Sequence, residues 1–144
     1  MTERLFWSST VRPILGAFGK LERIENRVGD STPDVCYCLK RQPDWNAVSG
    51  WIELKHGAQW PVRPATKFKF SYFTLGQMLW LEEWHNAGGR CCMLAQIERD
   101  YMLVPPWRLR AIFDGVTKSD FMALSEVNAH NVFPTSEVVR WLTR

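Results

Sequence analysis

Two short apolar runs separated by a polar, turn-rich stretch constrain the fold of this chain more than any other feature. The first run spans residues 35–39 and the second spans residues 51–55. Residues 40–50 between them include proline, aspartate, asparagine and glycine, which favour turns and loops. If the two runs pair as an antiparallel hairpin centred in this stretch, Asp34 and Glu53 lie opposite each other, with their Cβ atoms about 5 Å apart.

Two charged side chains interrupt the second apolar run, which indicates that they have a function. Side chains two apart on a strand point to the same face, so Glu53 and Lys55 share a face while Leu54 turns into the core. A buried charged pair costs free energy unless it has partners, and Asp34 is the expected partner. Two carboxylates with open positions suit a hard cation such as Mg²⁺, and a neighbouring lysine can orient a water or offset developing negative charge. An ordinary ion pair on a surface hairpin is the alternative that spacing alone leaves open.

The residues Pro33-Asp34 and Glu53-Leu54-Lys55 resemble the signature of the PD-(D/E)XK nuclease superfamily, which is named after them. Residues 23–29, with the PD pair, the ExK run and Gln77, resemble small phage-type and VRR-NUC-like members, a group that includes Holliday-junction resolvases. The resemblance covers about residues 15–97. It implies hydrolysis of phosphodiester bonds that depends on Mg²⁺, with Mn²⁺ as a substitute. It also implies that Asp34 and Glu53 are metal ligands and that Lys55 lies near the attacking water.

The same resemblance implies further site residues. A glutamate from the first helix completes the metal ligands, and Glu25 fits that pattern better than Glu22, which lies one turn earlier. The backbone carbonyl of Leu54 is a further candidate ligand, and Gln77 is expected to contact the metal-bound water or a phosphate. Two alternatives remain open. The glutamates could be solvated side chains on a helix, and Gln77 could be an ordinary polar residue in the first turn of its helix.

Basic side chains near these motifs are candidates for contacts with nucleic acid. Arg23 and Arg27 flank the glutamates and could meet phosphates. The segment Lys67-Phe68-Lys69-Phe70 interleaves charges with rings, as nucleic-acid surfaces do. Its alternative is an edge strand with the lysines outward and the phenylalanines inward. The candidate nucleic-acid-binding residues are therefore Arg23, Arg27, Lys67 and Lys69.

A second PD pair, Pro43-Asp44, also precedes Glu53. No strand-like run follows Asp44, and the predicted hairpin places this aspartate at its tip, far from Glu53. Asp34 is therefore the predicted site aspartate.

The length of 144 residues suits one domain, and the share of 46% hydrophobic with 23% charged residues is typical of a globular protein. We expect a single nuclease domain over 1–144, with a core at about 10–104 and a C-terminal helical extension at about 105–144. A net charge of +3 permits nucleic-acid binding without demanding it. No signal peptide or long apolar run is visible, which predicts a cytoplasmic protein with no membrane partner. The resemblance suggests a phage origin in a bacterial host.

The order of predicted elements gives the fold class. A helix begins near Ser9 or Thr10, has Pro13 in its first turn and continues through Leu21 to Ile24 or Glu25. The other predicted elements are a hairpin, a helix at 75–86 capped by Thr74, strands at 90–97 (parallel to 51–55) and 101–104, and helical segments at 107–113, 118–127 and 136–142. This order predicts an α/β fold with a restriction-endonuclease-like core, in which a mixed central sheet is flanked by helices.

The sequence thus predicts a Mg²⁺-dependent endonuclease that acts on DNA, with the Holliday junction or other branched DNA as the first candidate substrate. Resolvases cut two strands symmetrically, which predicts a homodimer. A non-cleaving nucleic-acid-binding module and an interaction protein that inhibits a host enzyme are the two alternatives.

Overall fold

A computed structural model describes residues 2–25 and 31–144 of the chain. The described residues form a six-stranded sheet in which the strands lie in chain order. The strands are β1 (Gly19–Arg23), β2 (Val35–Lys40), β3 (Ala47–Gly57), β4 (Cys91–Ile97), β5 (Asp100–Val104) and β6 (Val127–His130). The β3–β4 pair is parallel and the other neighbouring pairs are antiparallel. The sheet is therefore mixed, as predicted.

Helices cover both faces of this sheet. They are α1 (Glu3–Phe6), α2 (Arg12–Leu15), α3 (Leu75–Asn86), α4 (Leu109–Asp114), α5 (Lys118–Leu124) and α6 (Thr135–Thr143), with a π-helical turn at Trp7–Val11 and 3₁₀ turns at Gly16–Phe18 and Pro106–Arg108. One core packs α1, α2 and α6 against a sheet face that includes Leu54. The second core packs α3, α4 and α5 against the opposite face. Burial of apolar area on both faces stabilises the α/β architecture.

The hairpin has the predicted register. Val35 pairs with Ile52 and Lys40 pairs with Ala47, so the turn is centred between Pro43 and Asp44. Continuing this register by one residue places Asp34 opposite Glu53. The predicted parallel pairing of β3 with β4 is also confirmed.

The prediction of a first helix that runs from Ser9 or Thr10 to Glu25 is wrong at both ends. The helical segment begins at Glu3, where the side chain of Thr2 caps it, and it ends at Phe18. The residues that follow form strand β1, which pairs with β2. Gly19 allows this close pairing, because a Cβ atom there would collide with the carbonyl oxygen of Cys38.

The last third of the chain is more than the predicted helical extension. Val127–His130 forms the sixth strand, which pairs with β5. Helix α6 packs against β2 and β3. No helix among the described residues is long and apolar enough to cross a membrane.

A buried tyrosine joins the hairpin to the C-terminal helix. The hydroxyl of Tyr37 donates a hydrogen bond to the carbonyl oxygen of Leu142 at 2.8 Å, and Tyr37 is 1% exposed. We expect Tyr37→Phe to lower the free energy of unfolding by about 1–3 kcal/mol, because it keeps the ring but leaves a buried carbonyl unpaired. Urea denaturation measures this change. Tyr72→Phe, at an exposed position, is the matched control, and equal stability of the two variants would contradict the assignment.

Candidate active site

The start of β2 and the middle of β3 bring two carboxylates together at one end of the hairpin. Asp34 directly precedes β2, and its Oδ2 accepts a hydrogen bond from the backbone N–H of Leu54 at 2.9 Å. The carbonyl of Asp34 accepts a further bond from the N–H of Ile24 at 2.7 Å. Asp34 is therefore held from both sides, by β3 and by the residue that follows β1.

Glu53 and Lys55 share the sheet face opposite Leu54, as the alternation of strand side chains predicts. Lys55 Nζ donates to Glu53 Oε1 at 2.8 Å, and these side chains are only 5% and 1% exposed. The ammonium group also lies 5.8 Å from the centre of the Phe73 ring. The alternative of an ordinary surface ion pair is wrong, because both charged groups are buried.

Burial and the nearby charge of Asp34 make the ionised form of Glu53 unfavourable. Burial, and then the negative charge of Asp34, raise the pKa of Glu53 to about 8, although Lys55 opposes this shift. The second oxygen of Glu53, Oε2, is buried and has no hydrogen-bond partner among the described residues. In the ionised form this oxygen lacks any donor, whereas in the protonated form it can share its proton with Asp34. An unpaired buried oxygen is costly, and a cation between the carboxylates would remove that cost.

The donor set fits a hard divalent cation. Carboxylate oxygens are ligands that Mg²⁺ accepts, and Mg²⁺ usually keeps several waters beside one or two carboxylates. Among the described residues, no group of three or more His, Cys, Asp and Glu side chains is close enough together to hold a metal ion. The acidic side chains that the structure places together at this point are therefore the pair Asp34 and Glu53, which is fewer than a complete set of protein ligands.

A third carboxylate near this pair comes from the first helix, at a position that the sequence analysis missed. Burial, and then the charge of Asp34, raise the pKa of Glu3, while Lys55 and Arg23 oppose the shift. Arg23 lies 3.8 Å from Glu3. The sequence signal was the four-residue spacing of Trp7, Val11 and Leu15, together with an acidic residue directly after Thr2.

The prediction that Glu22 and Glu25 lie on the first helix is wrong, because neither residue is helical. Glu22 lies in β1 and Glu25 follows that strand, and both are exposed. Of the predicted phosphate contacts on this segment, Arg23 is in β1 beside Glu3, and Arg27 lies outside the described residues. Among the described residues, the acidic residue on the first helix whose pKa is influenced by Asp34 and Lys55 is Glu3.

Gln77 is in the first turn of α3, as predicted, and takes part in a capping box. Its Oε1 accepts from the backbone N–H of Thr74 at 3.0 Å, and the Thr74 hydroxyl accepts from the N–H of Gln77 at 3.1 Å. The preceding Gly76 packs against Ser31, which lies just before the PD pair. The start of α3 therefore lies close to the segment that leads into Asp34, and the side-chain amide nitrogen of Gln77 takes part in neither bond of the capping box.

A cavity of about 190 Å³ lies at Lys55. Its lining includes Glu3, Lys55, Lys69, Ser71 and Tyr72. Phe70 is buried while Lys67 and Lys69 are exposed, which matches the alternative of lysines outward and phenylalanines inward. The segment is not a strand, since it makes a single bridge, between Phe68 and Val116.

Asp44, the aspartate of the second PD pair, lies far from Glu53 and Lys55. Asp44 is exposed at the hairpin tip, where it forms an ion pair with Arg41 at 2.8 Å. This position agrees with the prediction that Asp34, and not Asp44, is the site aspartate.

A comparison with solved structures supplies a match to the fold. The chain is similar to Hjc, a Holliday junction resolvase from the archaeal hyperthermophile Archaeoglobus fulgidus, with a TM-score of 0.50 and 13% sequence identity. The match covers 96% of this chain and 97% of that one. The sequence matches no protein-family model and no curated protein. The chain thus shares its fold with this protein, and the predicted α/β fold class is confirmed.

Proposed function

We propose that this chain is a Mg²⁺-dependent DNA endonuclease of the PD-(D/E)XK type. The observation that carries the proposal is the buried pair of Glu53 and Lys55 beside the half-buried Asp34, in which one carboxylate oxygen of Glu53 has no hydrogen-bond partner among the described residues. A charged set of this kind is costly to keep in a core without a ligand, and so it points to a site rather than to a structural ion pair.

Each residue has a defined role in the proposed reaction. Asp34 and Glu53 would hold the metal, with Glu3 in place of Glu25 as a further acidic group and the carbonyl of Leu54 as a candidate ligand. Bound Mg²⁺ supplies charge that stabilises a phosphoryl oxygen and lowers the pKa of a bound water. Lys55 uses one N–H for Glu53, and its other N–H groups can orient the attacking water or donate to the phosphate.

The polar groups around the cavity suit a nucleic-acid substrate. Lys69 lies on the cavity lining, Lys67 is exposed in the same segment, and Arg23 lies beside Glu3. These cations would contact DNA phosphates, and Gln77 would contact a phosphate or the attacking water. We propose branched DNA as the substrate and a homodimer as the active form, because symmetric cutting of two strands needs two sites related by a two-fold axis.

Cleavage of labelled DNA tests this proposal. A four-way junction, a linear duplex and a single strand are incubated with the protein in Mg²⁺ or in chelator. We expect paired, symmetric cuts at the junction that require the metal. Cuts in every substrate would support the nuclease activity and contradict the specificity for branched DNA. No cleavage of any substrate in Mg²⁺ or Mn²⁺ would reject the proposed function.

A further inference from the structure

An exposed tyrosine lies next to the candidate site and has no role in the chemistry described above. Tyr72 is 83% exposed, and it lines the same cavity as Glu3 and Lys55. Scattered aromatic residues on a surface are ordinary and need no explanation. The position of Tyr72 on the lining of the cavity at Lys55 distinguishes it from the other exposed rings among the described residues.

The residue that follows Tyr72 is buried beside Lys55. Phe73 is 5% exposed, and its ring centre lies 5.8 Å from the Nζ of Lys55. Tyr72 directly precedes it, in the turn at residues 71–72. On the same lining, the ammonium group of Lys69 lies 5.3 Å from the centre of the Phe113 ring. A strand whose phosphate lies at Lys55 would therefore pass an exposed ring and a cation.

We propose that Tyr72 stacks on the nucleobase next to the cleaved phosphate and thereby selects DNA in which that base is unpaired or unstacked. This inference rests on the proposed function, and it names the feature of the substrate that the site prefers. Inside a regular duplex both faces of each base are covered by neighbouring bases, so a protein ring can stack only on a base that has lost a neighbour. Branch points, gaps and strand ends provide such bases.

Equilibrium binding tests the role of the ring separately from cleavage. A four-way junction with 2-aminopurine at the branch point is compared with an intact duplex of the same length. Both are titrated in Ca²⁺, and gels check that the DNA stays uncut. The proteins are the wild type, Tyr72→Ala, Tyr72→Phe and Trp45→Ala. Trp45 serves as the control because it is also an exposed aromatic residue, 61% exposed, but lies at the hairpin tip. Thermal melting verifies that the four proteins are equally folded.

We expect Tyr72→Ala to weaken junction binding on the order of ten- to hundred-fold, with a much smaller effect on the duplex, because stacking on one base contributes that much. The wild type and Tyr72→Phe are expected to quench 2-aminopurine equally, and Trp45→Ala is expected to bind like the wild type. Equal weakening on both substrates, unchanged binding by Tyr72→Ala, or a loss in Tyr72→Phe as large as in Tyr72→Ala would overturn the inference.

The outcomes separate this inference from the proposed function. Binding of the wild type that depends on Tyr72, without cleavage in Mg²⁺ or Mn²⁺, would reject the nuclease and retain the stacking role. Cleavage by the wild type, with binding that does not depend on Tyr72, would support the nuclease and reject the stacking role. A wild type that binds neither DNA would overturn both.

Discussion

Asp34→Asn is expected to lower the rate of metal-dependent DNA cleavage by about 10³-fold, whereas Asp44→Asn is expected to leave it unchanged. Both aspartates follow a proline and precede Glu53 in the sequence, so the two substitutions are chemically matched. The structure separates them, because Asp34 lies beside Glu53 while Asp44 is exposed at the hairpin tip. A metal contributes several kcal/mol to a phosphoryl transition state, and a factor of 10³ corresponds to about 4 kcal/mol.

Single-turnover cleavage of the preferred DNA, at saturating protein, measures this effect. Glu53→Gln is run in parallel, because it also removes one carboxylate without changing the size of the side chain. Circular dichroism and thermal melting verify that the variants are folded. Loss of activity in Asp44→Asn, or activity within tenfold of the wild type in both site variants, would contradict the assignment of Asp34 and Glu53 as the metal ligands.

The hairpin could be predicted from the sequence because its register depends on nearby residues. The turn-forming stretch at 40–50 sets the centre, and side-chain alternation then places Glu53 and Lys55 on one face. Every pair in the observed register follows from that centre. The core of the candidate site therefore needs no information from distant parts of the chain.

The first helix and its glutamate could not be placed in the same way. Ile14, Leu15, Phe18 and Leu21 have helical spacing, yet Leu21 lies in a strand because β1 pairs with β2. That pairing depends on Gly19 fitting against Cys38, which is a tertiary contact that periodicity does not encode. The prediction moved the helix toward the C-terminus and consequently overlooked Glu3. Strand β6 was missed for a similar reason, since a short edge strand of four residues with alternating exposure has little pattern of its own.

The free energy of unfolding of the metal-free protein is expected to fall as the pH rises from about 4.5 to about 8. The pKa of Glu53 is raised from 4.5 to about 8 in the folded protein, chiefly by burial. Within this window the unfolded chain releases the proton that the folded chain still holds, so a rise in pH favours unfolding. Below the window the carboxyl group is protonated in both states and contributes no pH dependence. The full effect is on the order of 5 kcal/mol, since each pKa unit corresponds to about 1.4 kcal/mol.

Urea denaturation between pH 5 and pH 8.5, with chelator or with Mg²⁺, measures this dependence. Glu53→Gln is the matched variant, and its stability profile is expected to be flatter because the titrating group is gone. Loss of the ion pair with Lys55 changes the absolute stability of this variant, so the slopes are compared instead. Burial and Asp34 also raise the pKa of Glu3, which leaves a smaller slope of the same sign in the variant. Bound Mg²⁺ favours the ionised carboxylates, and it is therefore expected to stabilise the wild type more at pH 8 than at pH 5. Parallel profiles for the wild type and Glu53→Gln in chelator would show that folding does not raise the pKa of Glu53, and they would contradict this prediction.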